Sequence, residues 1–241
     1  IIDICHSISP QNICQAAFVL STAYPFFPRR TVHVVVVDPG VGTERRAIIL
    51  RTPQSDFVAP DNGVLGYVLA PFLKERLRPA QDQVALPHEL KAVSITNAAF
   101  WRSPVSPTFH GRDIFAPVAA RLSLGTSPEE FGEVTASVTV LPELRPYQTS
   151  ADTLVGRIVH IDHFGNLITN VRREDLPEKP FTVEVSNRSI SGLSRTYEEG
   201  EGLLALIGSS GYLEIALKGG SALDFLGTAV GGELKIRQGK R

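Results

Sequence analysis

The chain has 241 residues, with 24 Lys and Arg against 25 Asp and Glu, for a formal net charge of −1. At 43% hydrophobic and 20% charged residues it is too apolar for a disordered chain, and its near-neutral charge argues against a nucleic-acid or anionic-membrane partner. No apolar run approaches the roughly 18 residues that span a bilayer, and two cysteines cannot make a disulfide scaffold, which leaves a reducing cytoplasm as the default compartment.

The sequence contains no methionine and opens on Ile1-Ile2-Asp3-Ile4, a short buried-strand pattern without a lead-in. We therefore expect a further segment ahead of it in the full gene product. Ser9 is placed to cap a helix, with Pro10 at its first position and apolar residues recurring at Ile13, Ala16, Ala17 and Leu20. The β-branched run 31–37 has the profile of a central strand buried on both faces, typical of parallel sheets. Strands over 47–50 and 57–59 and a helix over 63–73 follow, and a second helix runs over 109–124 with Ile114, Val118 and Leu122 on one face. This is an α/β domain with a mostly parallel sheet and flanking helices.

Around 144–153 the sequence turns polar and unpatterned, so the boundary divides the chain into domains 1–147 and 148–241. Beyond it, short strands at 154–161, 181–185, 202–207 and 212–217 are separated by Gly-, Asn- or Ser-rich turns. That texture predicts a small all-β, barrel-like domain.

Four segments can carry chemistry. The first, Asp38-Pro39-Gly40-Val41-Gly42-Thr43-Glu44-Arg45-Arg46, lies at the carboxyl end of a strand, where open α/β sheets place ligands. Its alternative is a tight turn with Asp38 capping amides and Arg45 at the surface. The second, Thr108-Phe109-His110-Gly111-Arg112-Asp113, puts a histidine at a helix entrance; either it exchanges protons there or it merely packs, with the charges serving the first helical turn. In the third, Asp162-His163-Phe164-Gly165-Asn166, a carboxylate, an aromatic face and an amide suit an adenine ring and an ammonium or sulfonium, or form an ordinary strand-connecting turn. The fourth, Gly208-Ser209-Ser210-Gly211, offers amides and hydroxyls to a small carboxylate, or is a flexible hairpin. Neither a metal-ligand spacing nor a nucleotide or nucleophile-elbow fingerprint occurs, so no metal is expected.

Taken in order, these motifs, together with Ala59-Pro60-Asp61-Asn62-Gly63 and Tyr212-Leu213-Glu214-Ile215-Ala216, closely resemble the S-adenosyl-L-methionine hydroxide adenosyltransferases, relatives of the adenosyl-fluoride and adenosyl-chloride synthases. The resemblance implies an N-terminal α/β domain, a C-terminal β-barrel domain and a homotrimer with sites between subunits. It implies hydrolysis of S-adenosyl-L-methionine, as substrate and with no cofactor, to adenosine and L-methionine by water attacking ribose C5′. The family's polar trio falls on Asp38, Arg45 and His110. Arg45 would orient and acidify the water, with Asp38 and His110 as the proton-accepting network.

By the same resemblance Asn166 bonds the adenine, Phe164 stacks on or walls it, and Tyr197 covers it. Asp162 holds the methionine amino group, Ser209 and Ser210 the carboxylate, and Thr108 and Phe109 line the ribose and nucleophile pocket. The family's opening strand and helix, with a ribose-binding Thr-Asp-Phe-Gly motif, has no match here, so it is expected upstream. Two other readings stand beside this one: an adenosyl chloride synthase, which the charged trio disfavours, and a non-catalytic adenosyl-ligand binder, which fold alone does not exclude.

Overall fold

A computed structural model describes residues 1–73, 82–141, 145–199 and 201–239, and the chain divides into two compact units, Ile1–Pro142 and Glu143–Arg241. In the first unit Ile1, Ile2 and Ile4 are exposed and form no strand. Helix α1 (Ile13–Ala23) is capped by Asn12, not Ser9: the Asn12 side chain accepts from Gln15 N at 2.9 Å, and the Gln15 side chain accepts from Ser9 N at 2.7 Å. The two bonds satisfy amides on both sides of the helix start, as a capping box does.

Strands β1 (Val32–Val34), β2 (Ala47–Arg51), β3 (Asp56–Pro60), β5 (Lys91–Ile95) and β6 (Gly132–Thr135) form one sheet in the order β1-β3-β2-β5-β6. A mostly parallel sheet was the sequence expectation, and it is corrected here: only β1 and β3 run parallel, while β2–β3, β2–β5 and β5–β6 are antiparallel. The link from β2 to β3 closes through Thr52 N to Ser55 O at 2.9 Å, far too short for the crossover a parallel pair needs. The continuous apolar run of β2 instead reflects cover on both faces. Ile48 and Leu50 pack with α1 and α2 (Gly66–Leu69), and Ala47 and Ile49 pack with α3 (Ala116–Ser123).

The run 31–37 is also shorter as a strand than expected, and it lies at a sheet edge, with Val34 and Val36 exposed. Beyond Val35, which still bonds Val58 O at 3.0 Å, the chain leaves the sheet because the Asn62 side-chain amide takes the Val37 carbonyl at 2.9 Å. The expected helix 63–73 is only α2 followed by one 3-10 turn, Ala70–Phe72, with Pro71 near its start. A small pair, β4 (Gln83–Ala85) with β7 (Ser137–Thr139), completes the unit.

The second unit is a nearly closed, barrel-like antiparallel sheet. Its path is β12 (Arg188–Ser191), β11 (Phe181–Val185), β15 (Glu233–Gln238), β9 (Thr153–Ile161), β10 (Leu167–Arg172), β14 (Tyr212–Leu217) and β13 (Leu203–Ile207), with β8 (Tyr147–Ser150) beside β9. Leu167, Val171, Leu213 and Ile215 belong to its core together with α4 (Ala222–Leu226). Alternate residues of β14 therefore point to the other face.

His33 in β1 is 4% exposed, stacked on Phe57 at 5.0 Å and met edge-on by Tyr24 and Phe27. Its Nε2 is buried with no hydrogen-bond partner, and burial lowers its pKa below the ordinary 6.5. The unfolded chain therefore binds this proton more readily. Stability is lost as pH falls through 6.5 and levels off below the folded pKa. We expect His33→Phe, which keeps the aromatic contacts, to gain on the wild type in Tm between pH 8 and pH 5 by calorimetry; parallel curves would contradict this.

Candidate active site

The 38–46 loop between β1 and β2 folds back on its own carboxylate. Arg45 Nε donates to Asp38 Oδ1 at 2.9 Å and Oδ2 at 3.0 Å, and Nη2 donates to Oδ2 as well. The pair is largely out of water, with side-chain exposures of 11% and 5%. Nη2 also lies 2.9 Å from His110 Nδ1. A guanidinium has no acceptor, so this bond requires the Nδ1 lone pair; the imidazole is neutral and carries its proton on Nε2. Burial first, and then the Arg45 charge, lower the His110 pKa, in keeping with a neutral ring. Among the described residues no side chain or carbonyl takes Arg45 Nη1, so two N–H groups remain for a small polar molecule.

Three local devices bring these residues together. Gly42, at φ +77°, lets the loop approach Pro107 so closely that a Cβ there would lie 2.4 Å from the Pro107 carbonyl oxygen. The Asn62 bond to Val37 O fixes the chain just ahead of Asp38. His110 itself opens a π-helical turn, Gly111–Phe115, that passes into α3, and such turns recur at functional sites. Fully buried Phe115 lies under the guanidinium, 5.3 Å from Arg45 Cζ.

Asp113 is the residue that sequence reasoning missed in this unit. It is fully buried, takes Arg112 through both oxygens at 2.7 and 2.9 Å, and accepts from Ser106 N at 2.8 Å, while its own carbonyl takes Arg102 N at 2.8 Å. Those bonds hold its pKa down to about 2. The carboxylate thus ties the start of the helix to the loop that carries Thr108 and Phe109. Both of these are exposed, and Arg112 stacks over the Phe109 ring at 4.6 Å. A carboxylate inside an otherwise apolar helical stretch was its only sequence signal.

In the second unit the 162–166 turn is organised by Asp162. Its Oδ1 accepts Phe164 N and Asn166 N at 2.9 Å, and its Oδ2 accepts the Asn166 amide at 2.9 Å. That orients Asn166, 8% exposed, with its side-chain oxygen unspent, while Phe164 stands 76% exposed. Gly165 has φ +80°, and a Cβ there would meet Ser221 at 2.2 Å, so this turn requires glycine. Ser209 and Ser210 are exposed at the tip of the β13–β14 hairpin, closed by Gly208 N to Tyr212 O at 2.9 Å. Tyr197 is half-exposed and donates to Glu214 at 2.6 Å. The structure therefore brings Asp38, Arg45 and His110 into contact, with Thr108 and Phe109 on the adjoining loop. Asp162, Phe164 and Asn166 share one turn of the other unit, and Ser209 and Ser210 share another.

Comparison with known proteins agrees along the whole chain. Residues 1–132 match the model of the SAM hydroxide adenosyltransferase N-terminal domain, and residues 156–235 that of the C-terminal domain. The (R)-S-adenosyl-L-methionine hydrolase of Salinispora tropica is 36% identical over 99% of this chain and 87% of its own. The protein of the same name from Thermus thermophilus is 38% identical over 98% and 87%. An uncharacterized conserved protein from Thermotoga maritima, of known crystal structure, superposes with a TM-score of 0.80 at 34% identity, covering 98% of this chain and 88% of that one. The chain belongs to the S-adenosyl-L-methionine hydroxide adenosyltransferase family.

Proposed function

We propose that this protein hydrolyses S-adenosyl-L-methionine to adenosine and L-methionine, with water attacking ribose C5′. The observation that carries the reading is the Arg45 guanidinium held between Asp38 and His110 with Nη1 left over, in a chain whose relatives at 36% and 38% identity are named hydrolases. The oxygen–C5′ bond forms as the C5′–sulfur bond breaks, and the bonding pair goes to sulfur, which leaves as a neutral thioether. No acid is needed for that departure. What water needs is orientation and a place for its proton. A fixed cation beside it stabilises developing hydroxide, and in-line placement lowers the barrier further.

Arg45 Nη1 supplies the fixed cationic donors in this reading. His110 Nδ1 is occupied by Arg45 and Nε2 bears hydrogen, so in the resting arrangement His110 holds the guanidinium and can donate to the pocket. Asp38 Oδ1 takes one N–H only and keeps acceptor capacity, which favours Asp38 as the group receiving the water's proton. Thr108 and Phe109 line the nucleophile side.

For binding, the unspent Asn166 oxygen suits the exocyclic amine of adenine and its remaining N–H the ring nitrogen. Phe164 and Tyr197 offer exposed aromatic faces to the base. Asp162 Oδ2 accepts one donor and retains a lone pair for the α-ammonium, and the Ser209 and Ser210 hydroxyls serve the carboxylate. A homotrimer, as the family resemblance implies, belongs to this reading.

Incubation with S-adenosyl-L-methionine in chloride buffer should yield adenosine and methionine in equal amounts by chromatography. 5′-Chloro-5′-deoxyadenosine as main product would instead establish the chloride synthase, and tight binding without methionine release would establish a non-catalytic binder. Arg45→Ala should lower kcat by roughly 10²–10³-fold, the usual loss on removing one transition-state donor. The same substitution removes the positive charge that lowers the His110 pKa and leaves the Asp38 charge that raises it. The His110 titration, followed by NMR, should therefore move up in Arg45→Ala; a downward or absent shift would contradict the contact.

A further inference from the structure

Glu214 is a carboxylate in an unusual place. It lies in β14 between Leu213 and Ile215, which face the barrel core, so its side chain points to the opposite face. Its cross-strand neighbours there are Ile168 of β10 and Leu206 of β13, beside the buried cluster of Leu204, Leu206 and Ala216. It is 6% exposed, and among the described residues no Lys, Arg or His pairs with it. Burial beside apolar side chains costs a carboxylate free energy unless something bonds it. What bonds it is Tyr197, whose hydroxyl donates to Oε1 at 2.6 Å. The other oxygen lies under the Gly208–Gly211 turn: a Cβ at Gly208 would sit 2.5 Å from Oε2.

The segment that carries Tyr197 is pinned on both sides of this point. Ser194 N bonds Ala205 O of β13 at 2.7 Å, and Lys218 Nζ bonds Glu198 O at 2.9 Å. Register places Glu214 between the two turns assigned above to the substrate. It pairs with Ile168, next to Leu167 where the 162–166 turn enters β10, and two residues before it Tyr212 opens β14 at the end of the Gly208–Gly211 turn. Asp162 is near enough for its charge to raise the pKa of both Tyr197 and Glu214, which burial raises first.

We propose that Glu214 is a positioning residue of the substrate site: through the Tyr197 hydroxyl and the Gly208–Gly211 turn it fixes two walls between which the adenosyl substrate is held. This rests on the hydrolase reading above. Glu214 does no chemistry on the reacting atoms, so its loss weakens binding and leaves the bond-breaking step intact. Tyr197→Phe removes the same link from the other side without touching the carboxylate.

The test measures steady-state kinetics with S-adenosyl-L-methionine, and calorimetric binding of S-adenosyl-L-homocysteine, a thioether with no sulfonium to displace. The variants are Glu214→Ala, Glu214→Gln, Tyr197→Phe and the double variant Glu214→Ala with Tyr197→Phe. Loss of one hydrogen bond to a charged group predicts roughly a tenfold rise in KM and Kd for Glu214→Ala, with kcat within about threefold of wild type. Tyr197→Phe should weaken binding in the same direction, the double variant should bind no worse than the weaker single one, and Glu214→Gln, which keeps an acceptor, should recover most of the affinity.

Wild-type KM and Kd in both Glu214→Ala and Tyr197→Phe would overturn the proposal. So would a Gln variant as impaired as the Ala variant, because charge and not positioning would then be responsible. If Glu214→Ala fails to fold by circular dichroism, Tyr197→Phe decides alone: weaker binding supports the proposal and unchanged binding overturns it. A wild type that binds the thioether but releases no methionine would sink the hydrolase reading, while the calorimetric comparison would still judge Glu214.

Discussion

A guanidinium removed from water must be matched by something, and in this protein the match between Arg45 and Asp38 governs the layout of the N-terminal unit. The two side chains are 11% and 5% exposed, and a lone charge at such depth would cost several kcal/mol. Asp38 neutralises the cation while engaging Nε and Nη2, and His110 Nδ1 accepts a further bond from Nη2. What is left is one end of a fixed cation. A flexible, hydrated ammonium could not offer that, since the planar fork sets the direction of its free N–H groups once the others are bound. The neighbouring structure serves this fixation: glycine at position 42 permits the approach to Pro107, Asn62 holds Val37, and buried Asp113 ties the histidine's helix to the loop before it.

The C-terminal unit works with the opposite sign. Asp162 and Glu214 are carboxylates placed without a lysine or arginine pairing them among the described residues, and the proposed ligand is a cation at sulfur and at its α-ammonium. Each carboxylate also has a mechanical task. Asp162 spends three bonds in shaping its turn and orienting Asn166, and Glu214 holds Tyr197. A group that shapes the loop and also carries the complementary charge keeps that charge where the ligand needs it without further reorganisation, which is the advantage of a preorganised site.

Much of this was legible in the sequence, because the site residues cluster in short segments that turn chemistry makes distinctive. Glycines at 42 and 165 mark places where another chain segment comes within van der Waals contact, and the polar residues beside them are the ones that meet. The two-unit outline was legible too, since a chain alternating helical and β-branched runs reads differently from one of short strands and turns. Strand direction was not. Ala47–Leu50 is apolar at every position because helices cover both faces, and that pattern is the same whether the neighbours run parallel or antiparallel. The run 31–37 misled for a related reason: β-branched composition marks extended chain, not its position in a sheet, and one side-chain amide from Asn62 ends the pairing early. Glu214 was invisible because an outward-facing glutamate in an alternating strand normally meets solvent; its cover comes from Tyr197, seventeen positions away in the chain.

The account turns on water as the attacking atom at the ribose carbon, directed by the guanidinium that Asp38 and His110 hold. Turnover of S-adenosyl-L-methionine in water enriched in oxygen-18, followed by mass spectrometry of both products, tests this most directly. The account predicts one labelled oxygen in adenosine, at the 5′ position, and none in methionine. Adenosine that carries no label, or label found in the methionine, would contradict it.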